Sequence, residues 1–519
     1  MKKIFTQILM LIVLVGLFNA CSEDDFSSKY TDPSQTTTVT CEKLMTGILY
    51  QGTFYTFKAY YGIFYFETYG VSRYSQTLGY INGSDCYELP YAGINNRWEN
   101  YYNLLSQFRL LEKTYNNLSE ASKPDYLPFV SISKAFMLDH LLQMTDLFGD
   151  IPYSDAGTLG ITNDVNLSRP TYDKATDIYQ DILDGLKECN EQLSSSSLST
   201  LTTSYLSAQD FINHGDVMQW RRYINSVRLR AALRISSQGE MVEIGKSVVK
   251  EILDDPTTYP IVESNEQNIV MTPDEDGFSY AASGPEAAYE TWVGDFNRAP
   301  AAMVDRMVDD PRLEIFFDEN AEGNYVGIDT HDAEDVQQAQ FDAGDYYCAY
   351  DSATFSRNRL VPGIMVDAAE VSFSKAEAYQ RGLASGDAKA AFVQGVTQSI
   401  EFYYGINATG VYRTPVTAPS ALEMETFAES KWDNASDKLE VILTQKWLNY
   451  SWMQGQQAWA QIRRIGIPDL YFPTSIGAKL SPEVPNRLPY ASSEEDNNTA
   501  NYQAVKDMDN WTTKMFWAK

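Results

Sequence analysis

Histidine is nearly absent. His140, His214 and His331 are the only three in 519 residues. With so few general-base candidates and no G-x-S-x-G nucleophile elbow, nothing in the sequence supports a Ser/His/Asp triad. His140 lies beside Asp139 in an amphipathic pattern and reads as a structural or surface residue. The cysteines, Cys21, Cys41, Cys86, Cys189 and Cys348, never fall in C-x-x-C spacing, so zinc and thioredoxin-type chemistry have no motif here. Disulfides among the last four are compatible with export, but spacing does not assign a pairing. Positive charge is also short: 40 Lys and Arg face 70 Asp and Glu, a formal net charge of −30. That balance excludes nucleic-acid binding through the overall field and favours neutral or cationic ligands over strongly anionic ones. Alternating strand patterns are scarce, and no apolar run reaches membrane-spanning length.

What is present is core material. Hydrophobic residues make up 44% and aromatics 13%, with 35 tyrosines against 24 phenylalanines. Tyrosine combines an apolar face with a polar tip and suits wet, half-buried surfaces. The N-terminus has secretory form: Lys2 and Lys3 precede an apolar or glycine run over 8–18, too short to span a bilayer. Asn19 and Ala20 lead to Cys21. A plain signal peptide with an incidental cysteine is one reading. The sharper one is a lipoprotein signal over 1–20, cleaved before Cys21 and followed by acylation of that cysteine. Residues 21–40, rich in Ser, Thr and Asp, form a tether with an acidic start at Glu23, Asp24 and Asp25. The folded body is then 41–519.

Helical periodicity dominates that body. Ile132, Phe136, Leu138, Leu141, Leu142 and Leu147 mark a helix over 131–148, closed by Gly149. Val217, Trp220, Ile224, Val227, Ala231 and Ile235 form the stripe of another. The segments 368–382 and 387–404 read as two antiparallel helices, and 438–452 as a further one. Paired helices of this kind predict a mainly α fold, one domain on a tetratricopeptide-like hairpin scaffold. Long aromatic-rich loops interrupt it at 79–96, 260–299, 320–360 and 471–501. The arginines Arg221, Arg222, Arg228, Arg230 and Arg234, with Arg463 and Arg464, are expected to pair with carboxylates of neighbouring helices.

Sugar binding needs aromatic faces for the C–H side of a pyranose and amides or carboxylates for its hydroxyls. Three loops offer both. The first supplies Tyr80, Asn82, Asp85, Tyr87, Tyr91, Asn96 and Trp98, although Trp98 opens a helical pattern, WENYYNLLSQFRLL, and a core role is as good a reading. The second supplies Tyr280, Tyr289, Trp292 and Asn297, and the third Asp345, Tyr346, Tyr347 and Tyr350. Asp318, Asn320, Glu322, Gly323 and Asp329 echo an EF-hand loop, but the last position is Asp and the ninth lacks a ligand, so this reads as a polar turn. Two of the many carboxylates in a glycosidase arrangement remain an alternative that only geometry addresses.

Several segments together resemble the SusD/RagB family of surface lipoproteins: FGDIPYSDA after residue 147, MQWRRYINSVRLRAALRIS, DDPRL, AEVSFSKAEAYQRGLASGDA, TQKWLNYSWMQGQQAWAQIRRIGIPDL and PNRLPY…EEDNNTANYQA. They keep the family's order and cover nearly the whole body, with the RRYINSVRLR and QKW versions resembling its starch-binding branch. Gln457 stands where the family usually carries an acid, Ile465 replaces a threonine, and the tail ends in Phe516-Trp517-Ala518-Lys519. The resemblance implies an outer-membrane lipoprotein anchored at Cys21 and facing the exterior. It implies a partner, a SusC-like TonB-dependent transporter that the protein caps as a lid, and an oligosaccharide ligand that is bound and not cleaved. Peptides, as in RagB-like relatives, are the alternative ligand. The first aromatic loop lies where starch-binding relatives place their platform. No cofactor and no metal are implied.

Overall fold

The computed structural model describes residues 39–57, 62–273 and 297–519, with backbone alone at 166–167. Cys41–Lys519 forms one compact unit. Cys21 and most of the tether lie outside the described residues.

The principal helices are α1 (Cys41–Thr56), α2 (Tyr91–Asn116), α3 (Lys123–Phe148), α4 (Ala175–Ser195), α5 (Val217–Ile235), α6 (Val242–Asp254), α7 (Ala368–Gln380), α8 (Ala388–Thr409), α9 (Ala421–Asn434), α10 (Lys438–Tyr450) and α11 (Gly455–Ile465). Sequence neighbours pack as hairpins, notably α3 with α4, α5 with α6, and α7 with α8. Successive hairpins bury their stripes on one another. The expected stripe of α3 is fully inside, with Ile132, Phe136, Leu141, Leu142 and Leu147 at 0% exposure. That helix begins at Lys123, earlier than its stripe indicates, and carries Pro128 in its second turn. There a proline removes one backbone hydrogen bond and crowds the carbonyl of residue 124, a cost that the buried stripe following it offsets. Side chains close the open N–H groups of several helices. Asp216 accepts from the amides of Met218 and Gln219 at 2.8 and 3.1 Å, and Asp367 accepts from Glu370 N at 2.8 Å. Ser420 and Glu423 form a reciprocal capping box. The described residues hold one small sheet, an antiparallel pair of β1 (Ile269–Met271) and β2 (Gly363–Val366) with a bulge after Ile269.

Helix α5 departs from an amphipathic surface helix. Every residue from Trp220 to Ile235 is buried except Arg222, so its polar side is inside as well as its apolar stripe. Buried charges demand partners, and these arginines find them. Arg230 makes a two-pronged pair with Glu370, Nε to Oε1 at 2.6 Å and Nη2 to Oε2 at 2.7 Å. Arg234 pairs with Asp146 and donates to Gln457 Oε1 at 2.6 Å. Arg228 pairs with Glu251 at 2.7 Å. Arg464 makes a second two-pronged pair with Glu377, at 2.6 and 2.9 Å, and Arg381 joins that carboxylate at 2.7 Å.

Three arginines depart from the expected carboxylate pairing. Arg221 donates to Asn190 Oδ1 and to the carbonyl of Thr258, and Arg222 to Gln219 Oε1. Arg463 donates to the carbonyls of Asp146 and Asn486 while its guanidinium lies 3.6 Å over the Trp459 ring. Carbonyl dipoles and a π face neutralise a delocalised cation without a counter-ion.

Cys41, Cys86, Cys189 and Cys348 are buried and free, and burial pushes the Cys189 thiol up to about 12. No described helix is long and apolar enough to cross a membrane.

Burial alone would raise the Glu377 carboxyl, yet Arg464, Lys446 and Arg381 hold it down to about 2 against an ordinary 4.5. A carboxylate with a depressed folded-state value contributes its full stability above about pH 4.5 and loses it as pH falls towards 2. Glu377→Gln is therefore expected to cost about 3–5 kcal/mol at neutral pH, because it leaves two guanidinium groups short of a counter-charge. Urea unfolding should also show a shallower loss of stability between pH 4.5 and 2 in the variant than in the parent.

Candidate functional site

Three loop segments converge on one face, and each is held by specific bonds and not by a sheet ladder. The first runs from Gly79 to Pro90. Gly79 N bonds the carbonyl of Arg298 at 2.9 Å, and a Cβ there would come within 2.6 Å of the Ala299 carbonyl oxygen, so only glycine allows the approach. Asn82 is the junction with the second segment: its Nδ2 donates to the carbonyls of Thr330 and Asp332 at 2.8 and 2.9 Å. Its amide N donates to Gln337 Oε1 at 2.7 Å. Gln337, fully buried on the short helix Glu334–Asp342, passes the tie on to the carbonyl of Asp329. The third segment joins through Tyr87 OH to Pro473 O at 2.7 Å, Ser475 Oγ to Gly83 O at 3.0 Å and Thr330 Oγ1 to Tyr471 O at 3.0 Å.

The exposed part of this face is an aromatic stack. The His331 imidazole lies nearly parallel to the Tyr471 ring, 14° between planes and 4.4 Å between centroids. Tyr471 is 50% exposed. Asp329 Oδ1 sits 2.8 Å from His331 Nδ1 and orients the ring. Two more carboxylates stand on these loops: Asp85 and Glu334 both flank Gly83. Ile476, 89% exposed, stands next to the Ser475 tie. A flat, solvent-facing ring pair bordered by acceptors offers a C–H surface and hydroxyl partners to one ligand.

The residues expected from sequence divide into groups. Asn82 and Asp85 belong to this face. Tyr80 and Tyr87 lie under it, at 4% and 0% exposure, edge-on to each other, with Arg73 beneath Tyr80. In this arrangement they brace the loop. Tyr347 is also buried, its hydroxyl on Gln340, whereas Tyr346 is 42% exposed and edge-on to Tyr347. Tyr91 and Trp98 stand elsewhere, on α2. Tyr91 is exposed at its first residue, and Trp98 packs on Phe148 and Tyr490 at 5.1 and 5.9 Å. Tyr280, Tyr289 and Trp292 lie outside the described residues. Neither His331 nor Tyr471 was among the residues expected at the site. Nothing local in the sequence pairs them, since the stack joins positions 140 residues apart; only the third loop's aromatic content pointed to the area.

The EF-hand-like loop is committed to internal bonds. Asp318 pairs with Arg413 at 2.8 Å, and Asn320 Oδ1 accepts from the amides of Glu322 and Asn324. Among the described residues no group of three His, Cys, Asp or Glu side chains is arranged to hold a metal ion. His140 is buried against Phe136, and burial with Arg97 nearby lowers it to about 3, so it stays neutral.

A SusD-like family model, described as starch-binding and associating with the outer membrane, matches residues 33–491. No curated protein sequence matches the chain. Among solved structures, a chitin-binding protein superposes with a TM-score of 0.74 at 23% identity, covering 91% of this chain and 99% of its own. A chitin-binding SusD homologue from Flavobacterium johnsoniae gives 0.67 at 20% identity, covering 91% and 98%. A SusD homologue from Parabacteroides distasonis gives 0.70 at 19%, covering 93% and 98%. At these identities the likeness is one of fold.

Gln337→Ala removes the buried amide that ties Asn82 to Asp329. The expected cost is about 1–3 kcal/mol, since two backbone groups lose their partner. Limited proteolysis should reveal new cleavage within 79–90 or 326–337 while the helical circular-dichroism signal persists.

Proposed function

The chain belongs to the SusD-like family, and on that premise we propose that it is a cell-surface nutrient-binding lipoprotein that captures oligosaccharides and hands them to a transporter. Cys21 carries the lipid, the residues to 40 act as the tether, and 41–519 is the ligand-binding body. The protein sits on the exterior face of the outer membrane and closes as a lid over a SusC-like TonB-dependent barrel. It binds and does not cleave.

The exposed His331–Tyr471 stack carries this reading. It offers flat ring area next to the Asp329 carboxylate, on loops that also carry Asp85 and Glu334 and are braced before any ligand arrives. Preorganised contact area of this kind loses little entropy on binding. The acidic net charge is compatible with a neutral or amino sugar. Chitin, named for two of the structural relatives, and starch, named in the family description, are the two glycans to try first. Asn82 is a positioning residue, Tyr346 a further exposed ring, and Tyr289 and Trp292 are candidates for contacts from the adjoining loop.

Isothermal titration of the purified protein with chito- and malto-oligosaccharides tests the proposal. Replacing His331 and Tyr471 together by alanine is expected to weaken the binding glycan about tenfold or more, the worth of a lost aromatic contact. Unchanged affinity would remove the stack from the site. Binding of peptides with no response to either glycan series would reassign the ligand, and release of shorter sugars from a bound oligosaccharide would contradict the binding-only role. Cys21→Ser should move the protein from the membrane fraction to the soluble exported fraction in cell fractionation; retention in the membrane would refute the anchor.

A further inference from the structure

A second cleft lies apart from the converging loops. It has a volume of about 390 Å³ and is walled by the first half of α2, the segment 152–170 and Glu494. That volume falls in the range of small-molecule sites, roughly 300–1,000 Å³. Its floor is apolar and rigid. Trp98 and Tyr102 pack at 5.0 Å, and Tyr102 OH is anchored to the carbonyl of Pro152 at 2.8 Å, with Pro152 itself lining the cleft.

The rim is polar and has bonding capacity to spare. Glu99 and Asn103 stand one helical turn apart on the same side of α2. Their side chains make no hydrogen bond or ion pair among the described residues. Glu494 uses one oxygen, Oε2, for Tyr172 OH at 2.7 Å and Asn498 Nδ2 at 3.1 Å. Its Oε1 has no partner among the described residues. Among the described residues no lysine or arginine lines the cleft. The rim thus presents two carboxylates and an amide to whatever enters. Such a set accepts hydrogen bonds from hydroxyl or ammonium groups and repels carboxylates and sulfates. An apolar floor under a ring of acceptors fits one face of a sugar.

We propose that this cleft is a second saccharide subsite, accepting a neutral or amino sugar and rejecting uronates. It is built from different segments than the His331–Tyr471 face and stands or falls separately from it.

The test uses purified protein in which His331 and Tyr471 are both alanine, so that the stack does not contribute. Saturation-transfer NMR is recorded with maltose, with chitobiose bearing free amines, and with glucuronic acid. Saturation should reach maltose and chitobiose and not glucuronate. Asn103→Trp, at an exposed helical position, should plug the cleft and abolish the transfer with an unchanged circular-dichroism melt. Should that variant fold poorly, Glu99→Ala, also at an exposed position, is expected to cut the signal at least by half. The subsite is overturned if neither disaccharide receives saturation, or if transfer persists in the Asn103→Trp protein or is undiminished in Glu99→Ala. Transfer to glucuronate equal to that of maltose would overturn the charge selection.

Discussion

Helix α5 carries arginines into the interior, and most of the helical scaffold is arranged to neutralise them. Arg230 reaches Glu370 on α7 and, at 3.5 Å, Asp139 on α3; Arg234 reaches Asp146 on α3 and Gln457 on α11. Hydroxyl groups complete the shells, Tyr223 on Asp139 at 2.8 Å and Tyr450 on Glu370 at 3.1 Å. Taking an ion out of water costs several kcal/mol even after relaxation, and only well-aligned partners return that cost. Four helices from distant parts of the chain must therefore meet in one register. Lys446, buried beside Glu377 and Glu370 with Ser374 Oγ at 2.8 Å, belongs to the same network, and burial lowers its ammonium to about 8. Net stabilisation is not the main return on such a network. An out-of-register packing would leave several charges unpaired at once, so the network disfavours every arrangement but one.

That rigid body allows the loops to do without regular structure. Among the described residues, the loops that hold His331 and Tyr471 form one short helix, Glu334–Asp342. Their backbone groups are satisfied by single side chains, Asn82 and Gln337 above all, and by tyrosine hydroxyls reaching carbonyls. A tyrosine brings ring area and a hydrogen bond at low conformational cost. The excess of tyrosine over phenylalanine in the composition finds one use here: Tyr80, Tyr87 and Tyr347 brace the face from below, while Tyr346 and Tyr471 are left outside.

Much of the scaffold was legible in the sequence because helical stripes are local. The stripe of α3 and the pair α7 and α8 are where periodicity placed them, with α8 running on to Thr409 and α10 stopping at Tyr450. The arginine run was legible as carboxylate pairs for Arg228, Arg230 and Arg234, though not as buried ones. It misled at Arg221, Arg222 and Arg463, because a carbonyl or a ring face leaves no trace in residue identity. Gln457, an amide where the resembling family carries an acid, still accepts from Arg234, since one amide oxygen suffices when Asp146 already supplies the charge. The first aromatic loop was legible as a cluster but not as two places. Helix α2 begins at Tyr91, so Tyr91 and Trp98 are carried off towards the C-terminal segment while Asn82 and Asp85 stay with the loops.

The sequence by itself determined the helical class, the paired helices and the family, because each is written in local periodicity or in motifs that keep their order along the chain. Tertiary structure alone decided which aromatics are braces and which are surface. It brought His331 onto Tyr471 and Glu494 to the same cleft as Glu99 and Asn103. The physical reason is that exposure and stacking belong to pairs of distant segments. A tyrosine has the same name whether its ring supports a loop or faces the solvent, and only the packing around it makes the difference.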